Sequence, residues 1–360
     1  MLHSIPESPH RARLLEVVEL QRTLFDALCA LPDGTSVDLA WLTTTWSNVT
    51  DGIWLRQFWE NDNGNRANWT NVISAAPTSL KQEIIDLMEE QFRFEDLYLD
   101  TPTVRLRVQS WKVRKLSTGV ERIRGTLMEA VKDLLESFYA PLFYRSHGFP
   151  NQDGSRFHKD DFLGKPKICP YSDNKIQDAK LDHFLPKESF PFLSCHPDNL
   201  IPCSTDPNSI SRKGRYIPLQ PDESDQAAEW FHPRFRPAKD KYNLTFDENR
   251  GSGPQVRFVA RSPLDQPRLS RMAGMFGLVE FWSRDLDDEL QLVSAEVRET
   301  IVKENLANTE EEVRRCLEGV MLRKRKRIGH DSLAIVTAAF YEYILSNSNR
   351  FSQVVRSCQD

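Results

Sequence analysis

The chain has 360 residues, with 47 Lys and Arg against 52 Asp and Glu and a formal net charge of −5. Hydrophobic content of 39% and charged content of 28% exclude a disordered or low-complexity chain, and the length suggests two or three domains. The negative balance excludes a nucleic-acid binder that is basic throughout, so any such contact must come from local patches.

The start, MLHSIPESPHRARLL, has no apolar run after its basic residues and does not read as a secretory signal. Ser8-Pro9 predicts a helix start, and Leu14, Leu15, Val18, Leu24, Phe25 and Leu28 recur at helical spacing until Pro32-Asp33-Gly34. Residues 35 to 77 hold five of the eight tryptophans (Trp41, Trp46, Trp54, Trp59 and Trp69), which reads as an apolar core or docking cluster. Ser79 with Gln82 forms a capping-box pattern for a helix to about Phe92. Val104 to Val108 alternates apolar and basic residues and continues to Trp111-Lys112-Val113-Arg114-Lys115. That pattern fits a strand with a cationic face, and equally the solvated face of a structural strand or linker. Thr118 to about Ala140 predicts a long helix that Pro141 should end or kink. Residues 146 to 166, with His158 among them, read as a polar linker or lid.

Beyond the central stretch, Tyr242 to Phe246 and Val256 to Val259 predict a hairpin across Asn249-Arg250-Gly251-Ser252-Gly253. From Pro267 the chain reads as helical, with a capping box at Thr309 and Glu312 and a last helix from Ser332 to about Leu345. Arg323-Lys324-Arg325-Lys326-Arg327 is a block of five cations that needs solvent or a polyanion, such as a DNA backbone. The longest apolar stretch, Leu333 to Tyr341, is too short for a membrane span and is interrupted by Thr337. Six scattered cysteines give no disulfide framework, and a reducing cytoplasm is the expected compartment.

The chemistry concentrates between Cys169 and Gly214, CPYSDNKIQDAKLDHFLPKESFPFLSCHPDNLIPCSTDPNSISRKG. An imidazole titrates near neutrality, so His183 is a candidate base for taking a proton from an attacking water. A carboxylate is the usual hard ligand for Mg²⁺ beside a phosphate, a role open to Asp182. Adjacent strand residues point to opposite faces, so the pair shares one site only if the strand is distorted or ends there, which Pro186 allows. Lys187, Arg212 and Lys213 flank the pair as candidate phosphate contacts.

Leu181 to Lys187, continued by Pro191, Leu193 and Ser194 and followed by Asn199-Leu200-Ile201-Pro202, resembles the HNH endonuclease family, in its branch with a DHFLPK-type first motif. The resemblance covers roughly residues 165 to 260, about a quarter of the chain. It implies a ββα-metal core in which His183 is the base, Asn199 ties the loop and orients that base, and Asp182 with Asn208 holds one Mg²⁺ or Mn²⁺ ion. Such proteins carry two Cys-x-x-Cys pairs on a structural zinc, whereas here the pairs read Cys169-x-x-Ser172 and Ser204-x-x-Pro207. Serine and proline supply no thiolate, so no structural zinc is expected and the loops must be held by packing, with Phe184, Leu185, Phe190, Phe192 and Leu193 supplying apolar weight. Phe231-His232-Pro233 resembles a segment that follows such cores, with His232 in a packing or phosphate-contact role.

Together these readings predict an α+β protein. Its expected units are a helical Trp-rich region at 1–150, a nuclease core with its hairpin at 165–262 and a helical region at 263–360. The function they imply is metal-dependent hydrolysis of DNA. The resemblance extends to nuclease subunits of bacterial anti-phage defence systems, such as the Septu nuclease that works beside an ATPase, and this chain carries no ATPase motif of its own. The alternative is a catalytically inactive core that binds DNA or docks a partner.

Overall fold

A computed structural model describes residues 2–359 except 6, 9, 50–51, 61–62, 109–118, 145–166, 177–178, 206–212, 214–215, 220–226 and 250–252; side chains at 140–144 and 249 are also undescribed. The architecture is α+β, with helices predominating over two separate two-stranded antiparallel sheets. In the N-terminal half lie α1 (Arg11–Ala30), α2 (Leu39–Thr45), α3 (Gly52–Glu60), α4 (Asn65–Ser74), α5 (Thr78–Phe92) and α6 (Val120–Tyr144), with a 3-10 turn at Phe94–Tyr98 between the last two. The first sheet pairs β1 (Ala179–His183) with β2 (Leu200–Ser204), and the second pairs β3 (Tyr242–Asn249) with β4 (Gly253–Ala260). The rest is helical: α7 (Gln266–Phe276), α8 (Leu278–Ser283), α9 (Leu286–Lys303), α10 (Glu310–Lys326), α11 (Ala334–Ser346) and α12 (Ser348–Gln359).

The tryptophan-rich stretch is a core. Trp46 is fully buried and Trp54 nearly so, with Phe58 and Phe138 packed against Trp46 at ring separations of 5.3 and 6.0 Å. The indole N–H of Trp46 donates to Leu20 O at 3.0 Å, so the ring is buried without leaving its polar atom orphaned. This core also takes in Leu181, Phe192, Cys195 and Leu200. A second core gathers Phe184, Leu185, Phe190 and Ile201 with β3, β4 and the helices that follow, and Leu2, Phe94, Leu97, Tyr98 and Leu106 pack there as well. The β1–β2 segment therefore contributes side chains to both cores.

Several local expectations are corrected. Helix α6 runs through Pro141 to Tyr144, so Pro141 does not end it. Proline cannot donate to the carbonyl four residues back, that of Ser137, and Arg66 Nη2 takes up that acceptor instead at 3.3 Å. The Ser79 capping box is not formed, because α5 starts at Thr78 with Pro77 at its cap. The Thr309 box is formed on its N-cap side, with the Thr309 hydroxyl accepting from Glu312 N. Helix α1 starts at Arg11, after a turn in which Ser8 Oγ accepts from His10 N. Residues 104–108 are not a strand; Leu106 is buried and Arg107 pairs with Glu90 at 2.9 Å, while 109–115 lie outside the described residues. The stretch 146–166, with His158, lies wholly outside them too. The helical run from Pro267 breaks at Gly277, whose left-handed φ of 57° caps α7. A further helix, α12, follows the one expected to be last.

Candidate functional site

The site is built from a turn, a short sheet and the loop between its strands. Ile168 bridges Lys175, Cys169 N donates to Asn174 O at 2.7 Å, and Asp173 N donates to Cys169 O at 3.1 Å, which folds CPYSDN into a tight turn. Three chain-distant segments clamp that turn. Asp173 is fully buried at φ 60°, with His3 Nε2 on one carboxylate oxygen at 2.5 Å and Ile335 N on the other at 2.9 Å. Trp282 Nε1 donates to Ser172 O at 3.0 Å. Cys169 Sγ accepts from Ser204 N at 3.5 Å, so the thiol aligned with a zinc ligand has an internal partner. The hydroxyls of Ser172 and Ser204 are buried, with no hydrogen-bond partner among the described residues. Phe184, Leu185, Phe190, Phe192 and Leu193 are all fully buried, so apolar packing and this polar clamp both hold the loops.

Strands β1 and β2 place Asp182 opposite Ile201 and His183 opposite Leu200. Alternation then sends the two side chains to different surroundings. The Asp182 carboxylate is buried, and Lys213 Nζ stands 2.9 Å from both of its oxygens. Tyr171 OH donates to Oδ2 at 2.7 Å. Burial raises the Asp182 pKa, against the opposing pull of the Lys213 ammonium and the Tyr171 hydroxyl. Burial also pushes the Tyr171 phenol well up, so it remains a donor.

On the other side, His183 Nε2 lies 2.9 Å from Ser194 O, and its ring is 4.8 Å from that of Tyr139. A carbonyl only accepts, so Nε2 carries the proton and Nδ1 keeps the lone pair. Burial lowers the imidazole pKa to about 3, although the bond to Ser194 O resists that shift. His183 is therefore neutral throughout the physiological range.

Asn199 is fully buried and ties the loop. Its Oδ1 accepts from Leu185 N at 2.8 Å, and its Nδ2 donates to Leu185 O at 3.0 Å and Leu193 O at 3.1 Å. The backbone closes the same junction through Phe184 N to Asn199 O at 2.9 Å. Leu193 directly precedes Ser194, whose carbonyl meets His183 Nε2.

The candidate phosphate contacts separate. Lys187 is half-buried, with Nζ 3.6 Å from Glu136 and 5.6 Å from the Tyr139 ring centre. Lys213 is interior, and its ammonium also donates to His183 O at 2.7 Å, so in this arrangement it faces no solvent phosphate. Asn208, Arg212 and Pro207 lie outside the described residues, as does most of the segment after β2 where the helix of a ββα unit would fall. The cationic block forms the last turn and C-cap of α10, where the helix dipole favours positive charge. Arg323 pairs with Glu296 at 2.9 Å, Arg325 with Glu342 at 2.6 Å and Arg327 with Asp331 at 2.7 Å, while Lys324 and Lys326 share the same turn.

Sequence reasoning missed the polar groups that fix the site. Tyr171 lay inside the CPYS motif, but nothing in its spacing marked it as the partner of Asp182. Asp198 is buried between Arg11 at 3.0 Å and Arg234 at 3.3 Å, joining α1 to the loop before β2. His232 is fully buried with its ring 4.5 Å from Phe184, which supports packing and leaves no route to a phosphate. Its Nδ1 accepts from Arg234 N at 3.2 Å.

No family model, curated protein or solved structure matches the chain. Among the described residues, no three His, Cys, Asp or Glu side chains gather as a metal-binding group. With the Lys213 ammonium across both oxygens of Asp182, that carboxylate as arranged does not fit a divalent ion. Among the described residues, no helix is long and apolar enough to cross a membrane, and all six cysteines are free thiols.

Proposed function

We propose that this chain is a nuclease of the HNH type that hydrolyses DNA phosphodiester bonds, in the setting of bacterial anti-phage defence beside a separate regulatory subunit such as an ATPase. The observation that carries the reading is the junction made by Asn199. Three of the four motif residues, Asp182, His183 and Asn199, meet at one short sheet although 16 residues separate His183 from Asn199. In this reading His183 takes a proton from water through Nδ1, with Ser194 O holding the ring by its other nitrogen. A conjugate acid with a pKa of about 3 makes His183 a free base at any working pH, though a weak one. The motif implies one ion, Mg²⁺ or Mn²⁺, on Asp182 and Asn208; as arranged, Asp182 pairs with Lys213 instead.

The test is cleavage of supercoiled plasmid with Mg²⁺ or Mn²⁺ by the wild-type protein and by His183→Ala. A loss of about 10²- to 10⁴-fold in rate is expected. Equal cleavage by the two proteins would sink the assignment. The second reading, an inactive core that binds DNA or docks a partner, is favoured by the internal pairing of Asp182 with Lys213 and Tyr171. Retained DNA binding with no cleavage by either protein would select it.

A further inference from the structure

We propose that the cleft between β3 and α11 is a binding site for a small amphiphilic anion, a flat apolar body carrying one carboxylate, sulfonate or phosphoryl group. Neither Asp182 nor His183 lines it, so binding here is independent of the nuclease reading.

The cleft exists because side-chain size changes along one interface. At the far end of β3, Phe246 packs against Phe340 at 5.3 Å and Tyr343 at 5.1 Å, which fills the space between strand and helix. At the near end, α11 presents Ile335, Ala338, Ala339 and Glu342, the i, i+3, i+4 and i+7 positions of one helix face. Tyr242 and Leu244 line it from β3, two residues apart and therefore on the same side of the strand. Two methyl groups in place of rings leave a cleft of about 540 Å³, with the buried Leu2 also in its wall. That volume falls within the roughly 300–1,000 Å³ of small-molecule pockets.

The walls are fixed in advance. The fully buried Asp173 takes His3 Nε2 at 2.5 Å and Ile335 N at 2.9 Å, and both of these partners line the cleft. A pocket held by buried polar bonds has little freedom left to lose when it fills. Tyr242 packs its ring on Phe258 at 5.4 Å, and its hydroxyl meets no partner among the described residues. Burial raises the pKa of that phenol, so it stays a donor.

The charges sort by position. Glu342, at the helix end, is already paired with Arg325 at 2.6 Å. At the other end, the hairpin register sets Tyr242 opposite Ala260, and Arg261 N donates to Lys241 O at 2.9 Å, which brings the Lys239 and Arg261 segments together. Both cations line the cleft there, against one acid, Asp240. Arg261 commits Nε to Asn243 Oδ1 at 3.1 Å, which aims the guanidinium and leaves its terminal nitrogens as donors for an anion. An apolar body lying on Leu244, Ile335 and Ala339, with its acidic group at Lys239 and Arg261, satisfies both halves of the lining. A cation or a neutral polyol satisfies neither.

The experiment titrates the full chain with anilinonaphthalene sulfonate, an apolar ring system with one acidic group, and with its uncharged analogue N-phenylnaphthylamine, both read by fluorescence. Wild type should bind one equivalent of the sulfonate saturably. Ala339→Phe fills the cleft without removing a polar partner and should abolish binding of both probes. Lys239→Gln combined with Arg261→Gln, at two exposed positions, should weaken the sulfonate at least about tenfold and leave the uncharged probe unchanged. A second measurement uses the wild-type protein alone and covers the case of a variant that does not fold: hydrogen exchange should slow at 239–244 and 335–342 when the sulfonate is bound. Absence of saturable binding, slowing confined to other segments, or binding by a folded Ala339→Phe equal to that of wild type overturns the site. A charge variant that weakens both probes alike, or neither, overturns the anionic ligand.

Discussion

The N-terminal tryptophan core and the β1–β2 segment are both buried, yet different forces hold them. Around Trp46 most contacts are rings and aliphatic side chains on helices, with Arg66 and the Trp46 N–H each meeting a backbone carbonyl. Around β1 and β2 the strands are five residues long, and polar side chains carry the junctions: Asn199 in the loop, Asp173 in the preceding turn, Asp198 toward α1 and Asp182 on Lys213. Apolar contacts are interchangeable in kind and tolerate changes of shape. A buried polar group is satisfied by particular partners, and losing one leaves another orphaned. The difference teaches that a segment with two short strands can be held by hydrogen bonds from distant segments, at the cost of sensitivity to single polar atoms.

The largest expected effect is on pH. Burial lowers the pKa of His183 to about 3, that of His196 to about 4 and that of His232 well below its ordinary value. All three belong to the central region or the segment after it. In the unfolded chain each titrates near 6.5, so below that value the unfolded state binds more protons. The contribution of each neutral imidazole is complete above pH 6.5 and is lost as pH falls toward its folded pKa, by up to about 1.4 kcal/mol per pH unit. Asp173 and Asp182, whose pKa values burial raises, act in the opposite sense as pH falls through their folded values. Urea denaturation at pH 7 and pH 5 should therefore show a marked drop in stability at pH 5. His196→Asn and His232→Asn, which keep an acceptor where Nδ1 takes a backbone N–H, should each flatten the dependence. An unchanged slope in the double variant would remove the histidines as its source.

Next in size is a paired substitution that tests the contrast itself. Asn199→Asp is nearly isosteric, but it removes the amide donor to Leu185 O and Leu193 O and buries a charge. A cost of about 3–5 kcal/mol is expected. Trp46→Phe is the larger change in shape and loses the bond to Leu20 O, yet the surrounding rings offer apolar partners, and about 1–3 kcal/mol is expected. Urea midpoints of the two variants at pH 7 decide the order. If Trp46→Phe is the more damaging, the central segment is not the region that depends on single polar atoms.

This contrast also explains what was legible in the sequence. Periodicity located α1, α6 and the helical run from Pro267 as far as α11, because an apolar face repeats along its own segment. The β3–β4 hairpin was legible for the same reason, with alternating residues on both sides of a glycine-bearing turn. The Asp182, His183 and Asn199 positions were visible because their motif is compact. Their partners were not, since a hydrogen bond between Tyr171 and Asp182, or between His3 and Asp173, leaves no periodic trace and depends on the completed fold. That the helix would continue past Pro141 was hidden for a similar reason: the compensating donor, Arg66, lies 71 residues from the carbonyl it satisfies. Lys213 read as a phosphate contact because a lysine near a nuclease motif is normally at the surface, and only burial reveals otherwise.

The smallest effects are expected at the end of α10, the region least like either core. Its arginines are exposed and paired singly with Glu296 and Glu342, and exposed pairs contribute little. Arg323→Ala and Arg325→Ala should each change stability by less than about 0.5 kcal/mol. Their meaning for DNA is separate. If this turn tracks a phosphate backbone, each cation engaged steepens the salt dependence of binding by about 0.9 in the log–log slope. An arginine already held by a carboxylate must give up that partner to engage, whereas Lys326 is exposed on the same turn. Fluorescence anisotropy on duplex DNA across a salt series should therefore show a slope lowered by about 0.9 for Lys326→Ala and little altered for Arg325→Ala. Glu342→Gln should release Arg325 and steepen the slope. A slope indifferent to all three substitutions would place DNA contact elsewhere on the molecule and leave the cationic block as the charged end of a helix.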